Sequence, residues 1–85
     1  MEFLKYEDFK LEAKIQKGPI KEVGVNGCQV DDVVQWSRDL ISRLNDDFPC
    51  RENSIVLTKL DEAILWLRER KRDRMARNVE GFNKA

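Results

Sequence analysis

The sequence predicts an α+β fold in which a short N-terminal β-hairpin precedes an antiparallel pair of helices. Apolar and polar residues alternate before residue 17, which is the period of a half-buried strand. Two later stretches carry apolar residues three and four positions apart, the period of an amphipathic helix. A chain of 85 residues buries only a modest core. We therefore expect a strand segment at 1–24 and a helical hairpin domain at 25–85, assembled as a homo-oligomer.

The predicted strand runs from Phe9 to Ile15, where every second residue is apolar. Lys17-Gly18-Pro19 has the composition of a turn, and Ile20–Val23 is predicted to return as a second short strand. A two-stranded ribbon is not stable alone. It must therefore lie on the helices or join strands of another copy.

The first helix is predicted from Val30 to about Asn45, with acidic residues at positions 31 and 32 favouring its positive N-terminal end. The segment 46–49, Asp-Asp-Phe-Pro, ends it. The second helix begins either at Pro49, which needs no amide donor there, or at Asn53-Ser54, which supplies its own cap. The short loop between the helices predicts an antiparallel hairpin.

Both tryptophans lie off the apolar stripes of these helices. Trp36 falls to one side of the first stripe, and Trp66 shares a face with Lys59 and Glu62. One interpretation is a wide core stripe that the strand ribbon covers. The other is a subunit interface or a stacking surface.

The composition excludes several classes of function. The chain contains no histidine, the commonest general base and zinc ligand, so we expect no metal catalysis, no metal site and no cofactor, and this absence fits a protein that is not an enzyme. Cys28 and Cys50 precede the two helices and are expected to be free, mostly buried thiols. No apolar run approaches a membrane span, so we expect a cytosolic protein without a membrane partner. Sixteen basic residues balance sixteen acidic ones, which argues against nucleic acid as a partner.

Basic residues are concentrated near the end of the second helix. Arg70, Arg74 and Arg77 recur at i, i+4 and i+7, so three guanidinium groups can line one helix face and bind phosphate. The alternative is a solvated helix end in which neighbouring acidic residues pair with these arginines.

Arg51 and Asn53 lie at the opposite end of the same helix, about 30 Å or more from Arg74 by helical rise. A single pocket that uses both ends therefore requires two chains packed antiparallel.

Five segments carry a family resemblance: Asn26–Asp32, Phe48–Ser54, Leu57–Ala63, Leu65–Leu67 and Arg77–Gly81. Together they resemble the helical hairpin domain of phage immune-evasion proteins, the anti-CBASS and anti-Thoeris cyclic-nucleotide sponges. The likeness extends over about residues 25–81. The N-terminal strand segment is similar to the Thoeris branch, although it contains no motif of the family.

The resemblance implies a phage-encoded protein of the host cytoplasm that forms a ring-like homo-oligomer, a hexamer. It implies a non-enzymatic sponge that sequesters cyclic ADP-ribose isomers or cyclic di- and trinucleotides. The family's pocket would use Asn53 of one chain, with Arg51 nearby, and Arg70 and Arg74 of another. Asn78 stands where the family has glycine and is expected to act as a left-handed cap. Phe82 stands where a small polar residue is expected.

Three other functions remain open from the residues. A nucleic-acid-binding module would lay Arg68–Arg77 along phosphates and bind with strong salt dependence. A structural phage protein would use the hairpin only to build a ring. An enzyme that cleaves the nucleotide would release products.

Overall fold

The computed structural model describes residues 3–6 and 10–78 of the chain. These residues form a mostly helical structure with an N-terminal ribbon. The ribbon consists of β1 (Phe3–Tyr6) and β2 (Leu11–Lys14), and a helical turn α1 (Ile20–Val23) follows. Two long helices, α2 (Val30–Asp47) and α3 (Arg51–Ala76), complete the described fold. The predicted helical hairpin is therefore confirmed.

The N-terminal ribbon differs from the predicted one in its second strand. The alternating segment forms β2 as expected, but it pairs antiparallel with the preceding β1, where Tyr6 lies opposite Leu11. Ile20–Val23 is a helical turn, so its prediction as a returning strand was wrong. The reason is local, because the carbonyl of Pro19, the N-cap residue, accepts a hydrogen bond from the amide of Val23 at 2.9 Å, and this bond closes a helical turn.

Backbone and side-chain hydrogen bonds fasten the ribbon to the start of α2. The amide of Cys28 donates to the carbonyl of Lys14, and the amide of Gln16 donates to the carbonyl of Cys28, both at 2.8 Å. The Gln16 side chain closes the intervening loop by donating to the Gly24 carbonyl at 2.9 Å. At Gly27 a Cβ atom would lie 2.6 Å from the carbonyl carbon of Ile15, so only glycine fits there without a shift.

The helical hairpin has caps at both of its inner ends. Helix α2 begins at Val30 as predicted and ends two residues later than expected, with Phe48 as its C-cap. Helix α3 begins at Arg51, so both predicted starts were wrong. Cys50 is the N-cap, and its sulfur accepts the amide of Asn53 at 3.4 Å. An ion pair between Arg38 and Asp61, 2.9 Å long, joins the two antiparallel helices.

Among the residues whose side chains the structure describes, residue 5 and residues 10–78, no apolar side chain is buried. The chain measures 43 × 32 × 16 Å, and its smallest dimension is close to a single layer of helices. Its radius of gyration is 15.4 Å, whereas a compact chain of this length has about 12 Å. A stable domain normally needs two packed layers around a core. A single copy of the chain therefore presents only one layer.

Two predictions fall outside the described residues, namely the strand start at Phe9 and the unexpected Phe82. The predicted left-handed cap at Asn78 is confirmed, since its φ is 58°. In the part of the chain that the structure describes, no helix combines the length and the apolar character needed to cross a bilayer.

Candidate ligand-binding site

Helix α3 is one uninterrupted helix of 26 residues, and it positions every residue predicted to bind a ligand. Arg51 and Asn53 lie in its first turn, Arg70 and Arg74 lie in its last two turns, and Arg77 is the C-cap. The rise of about 1.5 Å per residue puts Asn53 about 26 Å from Arg70 and about 32 Å from Arg74. The structure thus groups these residues into two clusters, and one chain cannot bring the clusters together.

The arginines of the C-terminal cluster are in three different environments. Arg70 is exposed and has no ion pair among the described residues. Arg77 is held by Asp73, with 3.0 Å between Nε and Oδ2. Arg74 is only 5% exposed and is already engaged within the chain. Of the three, Arg70 offers the most accessible guanidinium group.

The burial of Arg74 was not predicted from the sequence. The i, i+4, i+7 spacing places Arg74 on a shared face with the other arginines, but it does not reveal what covers that face. A charged side chain is tolerated in a buried position only when it is paired or hydrogen-bonded. Arg74 is therefore held as part of the helix end, and little of its side chain is open to a ligand.

The alternative of a salt-bridged helix end is correct for part of this segment. Arg72 donates to Glu69 at 2.6 Å, and this hydrogen bond raises the pKa of the Arg72 guanidinium above its ordinary value. Arg77 and Asp73 form the second such pair. Because these two arginines are paired, intrahelical pairing leaves open Arg68 and Arg70 among the exposed arginines of this segment, and of these two Arg70 belongs to the predicted site.

The N-terminal cluster combines an amide with an exposed cation. Asn53 is half-buried, and its side-chain nitrogen donates to the carbonyl of Phe48 at 3.3 Å, which ties α3 to the end of α2. Arg51 is exposed and has no ion pair in the described part of the chain. Cys50 beside them is exposed, so its predicted burial was wrong; the thiol serves as a helix cap rather than as a core side chain. Cys28 is half-buried, and both cysteines are free as predicted.

An apolar groove lies between β2 and the first half of α2. It encloses about 450 Å³ and is lined mainly by Leu11, Ala13, Ile15, Val33 and Trp36. The sequence did not predict this groove, although the position of Trp36 beside the helical stripe was its one signal. Trp36 is 56% exposed at this edge, and Leu40 and Leu44 continue its apolar stripe along α2. The interpretation of a core stripe fully covered by the ribbon is therefore wrong for Trp36.

The fold and the two clusters define a helical-hairpin protein with cationic groups at both ends of its longer helix. Residues 9–72 match the family described as Acb2/Tad1, hairpin domain, and the chain belongs to this family. The predicted relationship to the anti-CBASS and anti-Thoeris proteins is thereby confirmed.

One relative shows the relationship in detail. The chain is 43% identical over 70 residues to Thoeris anti-defense 1 of Bacillus phage SBSphiJ7. The alignment covers 78% of this chain and 47% of the relative. The chain thus spans about half the length of the relative that it matches.

Proposed function

We propose that this chain is a phage immune-evasion sponge that blocks Thoeris or CBASS defence in the host cytoplasm. It would bind cyclic nucleotide signals, either cyclic ADP-ribose isomers or cyclic di- and trinucleotides, and release them uncleaved. Membership of the Acb2/Tad1 hairpin family and the similarity to a protein named for Thoeris anti-defence support the role. Exposed guanidinium groups at both ends of α3 suit an anionic ligand.

The proposed pocket lies between two chains. Arg51 and Asn53 of one copy face Arg70 and Arg74 of another, and Arg77 lies at the margin. The observation that carries this proposal is the continuous helix α3, which keeps the two clusters about 30 Å apart in one chain. Two antiparallel copies of α3 bring each N-terminal cluster to the C-terminal cluster of the other.

Each residue has a different role in this pocket. Arg70 is exposed and can bind a phosphate through two parallel hydrogen bonds. Arg74 is held in place by burial and would present one edge of its guanidinium group. The Asn53 amide can hydrogen-bond a base or a ribose, and the neighbouring Arg51 adds positive charge. Arg77 would reach a ligand only after leaving Asp73, so its contribution is expected to be small.

Exposed area supports the assembly that this pocket requires. The chain exposes 6982 Å², whereas a compact monomer of 10.0 kDa exposes about 5,200 Å². The excess of about 1,700 Å² per chain lies in the range buried by each partner of an obligate interface.

Two separate apolar surfaces favour an assembly larger than a dimer. One is the α2 stripe of Val33, Trp36, Leu40 and Leu44, and the other surrounds Trp66 on α3. A closed ring with dihedral symmetry, such as a hexamer, needs two different interfaces. The chain offers both.

Ligand capture and release tests the proposal. The purified protein is mixed with cyclic ADP-ribose, a cyclic dinucleotide or a cyclic trinucleotide, separated from free ligand and heated. Chromatography should recover one of these ligands unchanged and in stoichiometric amount, and the Arg70→Ala variant should retain much less. Recovery of cleaved products would identify an enzyme. Binding of plain DNA that weakens steeply with salt, without nucleotide capture, would identify a nucleic-acid-binding module.

A further inference from the structure

We propose that Asn45 is a positioning residue of the ligand site, because its side chain fixes the turn that presents Arg51 to the ligand. This inference rests on the proposed function, in which Arg51 belongs to the N-terminal cluster of α3. Asn45 lies in the last turn of α2, and Arg51 is the first residue of α3. Asn45 is uncharged and was not among the residues predicted to bind a ligand. Its role is to hold the chain from which a ligand-binding residue projects.

The turn between the two helices consists of Phe48, Pro49 and Cys50. Backbone groups at helix ends lack partners within the helix and are satisfied by other groups. The Phe48 amide donates to the carbonyl of Leu44 at 2.8 Å, and the Cys50 carbonyl accepts the amide of Ser54 at 3.2 Å. These two bonds continue the hydrogen-bond pattern of the helices. The Phe48 carbonyl and the Cys50 amide, by contrast, are bonded by side chains.

Two asparagine side chains bond these groups from opposite sides of the turn. The side-chain oxygen of Asn45 accepts the Cys50 amide at 3.2 Å, which ties the last turn of α2 to the N-cap of α3. The side-chain nitrogen of Asn53 reaches back and donates to the Phe48 carbonyl at 3.3 Å. Both asparagines are half-buried, whereas the three turn residues are exposed. The two bonds therefore hold the turn at both of its ends.

Arg51 depends on this turn for its placement. Its side chain is exposed and has no ion pair or hydrogen bond among the described residues, so the backbone alone sets where the guanidinium group begins. The Cys50 amide that Asn45 holds is one residue before it. A two-pronged contact between arginine and phosphate needs a defined geometry, so a looser turn weakens capture without removing any charge. An amide at position 45 supplies the acceptor without adding a negative charge beside a site for an anion.

Replacing the Asn45 amide by an apolar group of similar size tests this role. Asn45→Leu leaves every charge in place but removes the acceptor of the Cys50 amide. Calorimetry with cyclic ADP-ribose, a cyclic dinucleotide and a cyclic trinucleotide should show a loss of about threefold to tenfold in affinity for the nucleotide that binds, the effect of one hydrogen bond. Gln35→Leu is the matched control, because it removes a neutral amide from the same helix whose bond to Asp39 stays within α2. Its affinity should stay within about twofold of the wild type.

A double variant shows whether Asn45 acts through Arg51. Arg51→Ala removes the guanidinium group, so the placement of that group no longer matters. Adding Asn45→Leu to Arg51→Ala should therefore weaken capture by less than about twofold further. A general loosening of the fold would weaken capture equally in both backgrounds, and this result would overturn the proposal.

Amide hydrogen exchange of the wild-type chain supplies a measurement that does not depend on the folding of a variant. The Cys50 amide should exchange more slowly than an open backbone amide, because Asn45 accepts its hydrogen bond. Exchange at the rate of an open amide would overturn the proposed holding of the turn.

These outcomes are separable from failure of the sponge itself. If the wild type captures a nucleotide and Asn45→Leu binds it with full affinity, the proposed function stands and the positioning role is refuted. If the wild type captures none of the three nucleotides, the proposed function and this role are refuted together.

Discussion

Replacing Arg70 or Arg74 by alanine should weaken ligand capture in both cases but should affect folding in only one. Arg70 is exposed and has no ion pair among the described residues, so Arg70→Ala removes a ligand contact and little else. Arg74 is 5% exposed and engaged within the chain, so Arg74→Ala also removes a buried partner. The two variants therefore separate binding from stability.

The magnitudes follow from these environments. Loss of one member of a buried charge pair at a binding site costs about 2–5 kcal/mol, which corresponds to a fall in affinity of about 30-fold to several thousandfold. Arg70→Ala should lie in this range, with the unfolding free energy changed by less than about 0.5 kcal/mol. Arg74→Ala should lose a similar amount of affinity and also about 1–3 kcal/mol of stability, because it removes a buried side chain that is engaged within the chain.

Calorimetry with the captured nucleotide measures affinity, and urea denaturation measures stability. Arg72→Ala is the matched control: it removes the same charge from the same helix, but Arg72 is 78% exposed and is bound to Glu69. Its ligand affinity should stay within about threefold of the wild type, because its interaction is a surface ion pair. Wild-type affinity in Arg70→Ala, or equal losses in Arg70→Ala and Arg72→Ala, would refute the assignment of the site.

Three further predictions concern the scaffold. Gly27→Ala should lower the free energy of unfolding by about 1–3 kcal/mol, because the new Cβ atom would meet the backbone at Ile15. An unchanged midpoint of thermal unfolding would contradict this close approach. Arg38→Gln should lower the free energy of unfolding, measured by urea denaturation, by at most about 1 kcal/mol, because the ion pair with Asp61 is partly exposed. A larger loss would mean that this ion pair is a main link between the two helices. Cys50→Ala should lower the free energy of unfolding by about 1 kcal/mol because it removes the N-cap of α3, whereas the serine hydroxyl in Cys50→Ser should keep a cap there. Equal stabilities of the two variants would show that the thiol has no capping role.

The spacing of apolar residues at three and four positions predicted the helical hairpin well. The apolar stripe and the acidic first turn located the start of α2 at Val30, and the polar residue at 78 was correctly predicted to adopt a left-handed conformation. These features depend on neighbours within one or two turns, which a sequence displays directly. The strand at Leu11–Lys14 was predicted for the same reason.

Features that depend on competing local hydrogen bonds or on distant neighbours were harder to predict. Ile20–Val23 contains β-branched residues, yet the turn that begins at Pro19 closes within this segment. The strand that pairs with β2 is therefore β1 and not Ile20–Val23. The start of α3 was missed because a cysteine is an uncommon helix cap. The two-cluster arrangement on α3 was predicted, since it needs only a count of residues along a helix. The burial of Arg74 was not predicted, because burial depends on which residues pack over the helix.

The shared pocket is the central claim, and mixed assemblies of two defective chains test it most directly. One chain carries Asn53→Ala and the other carries Arg70→Ala, and the two are co-expressed so that they assemble at random. A pocket that draws Asn53 from one copy and Arg70 from the other is intact only when both halves come from unmutated ends. Random pairing then restores about one quarter of the pockets. Calorimetric titration should accordingly give about one quarter of the wild-type stoichiometry, with wild-type affinity at the restored sites. A stoichiometry no higher than that of either variant alone would mean that each pocket is built within one chain or from other residues.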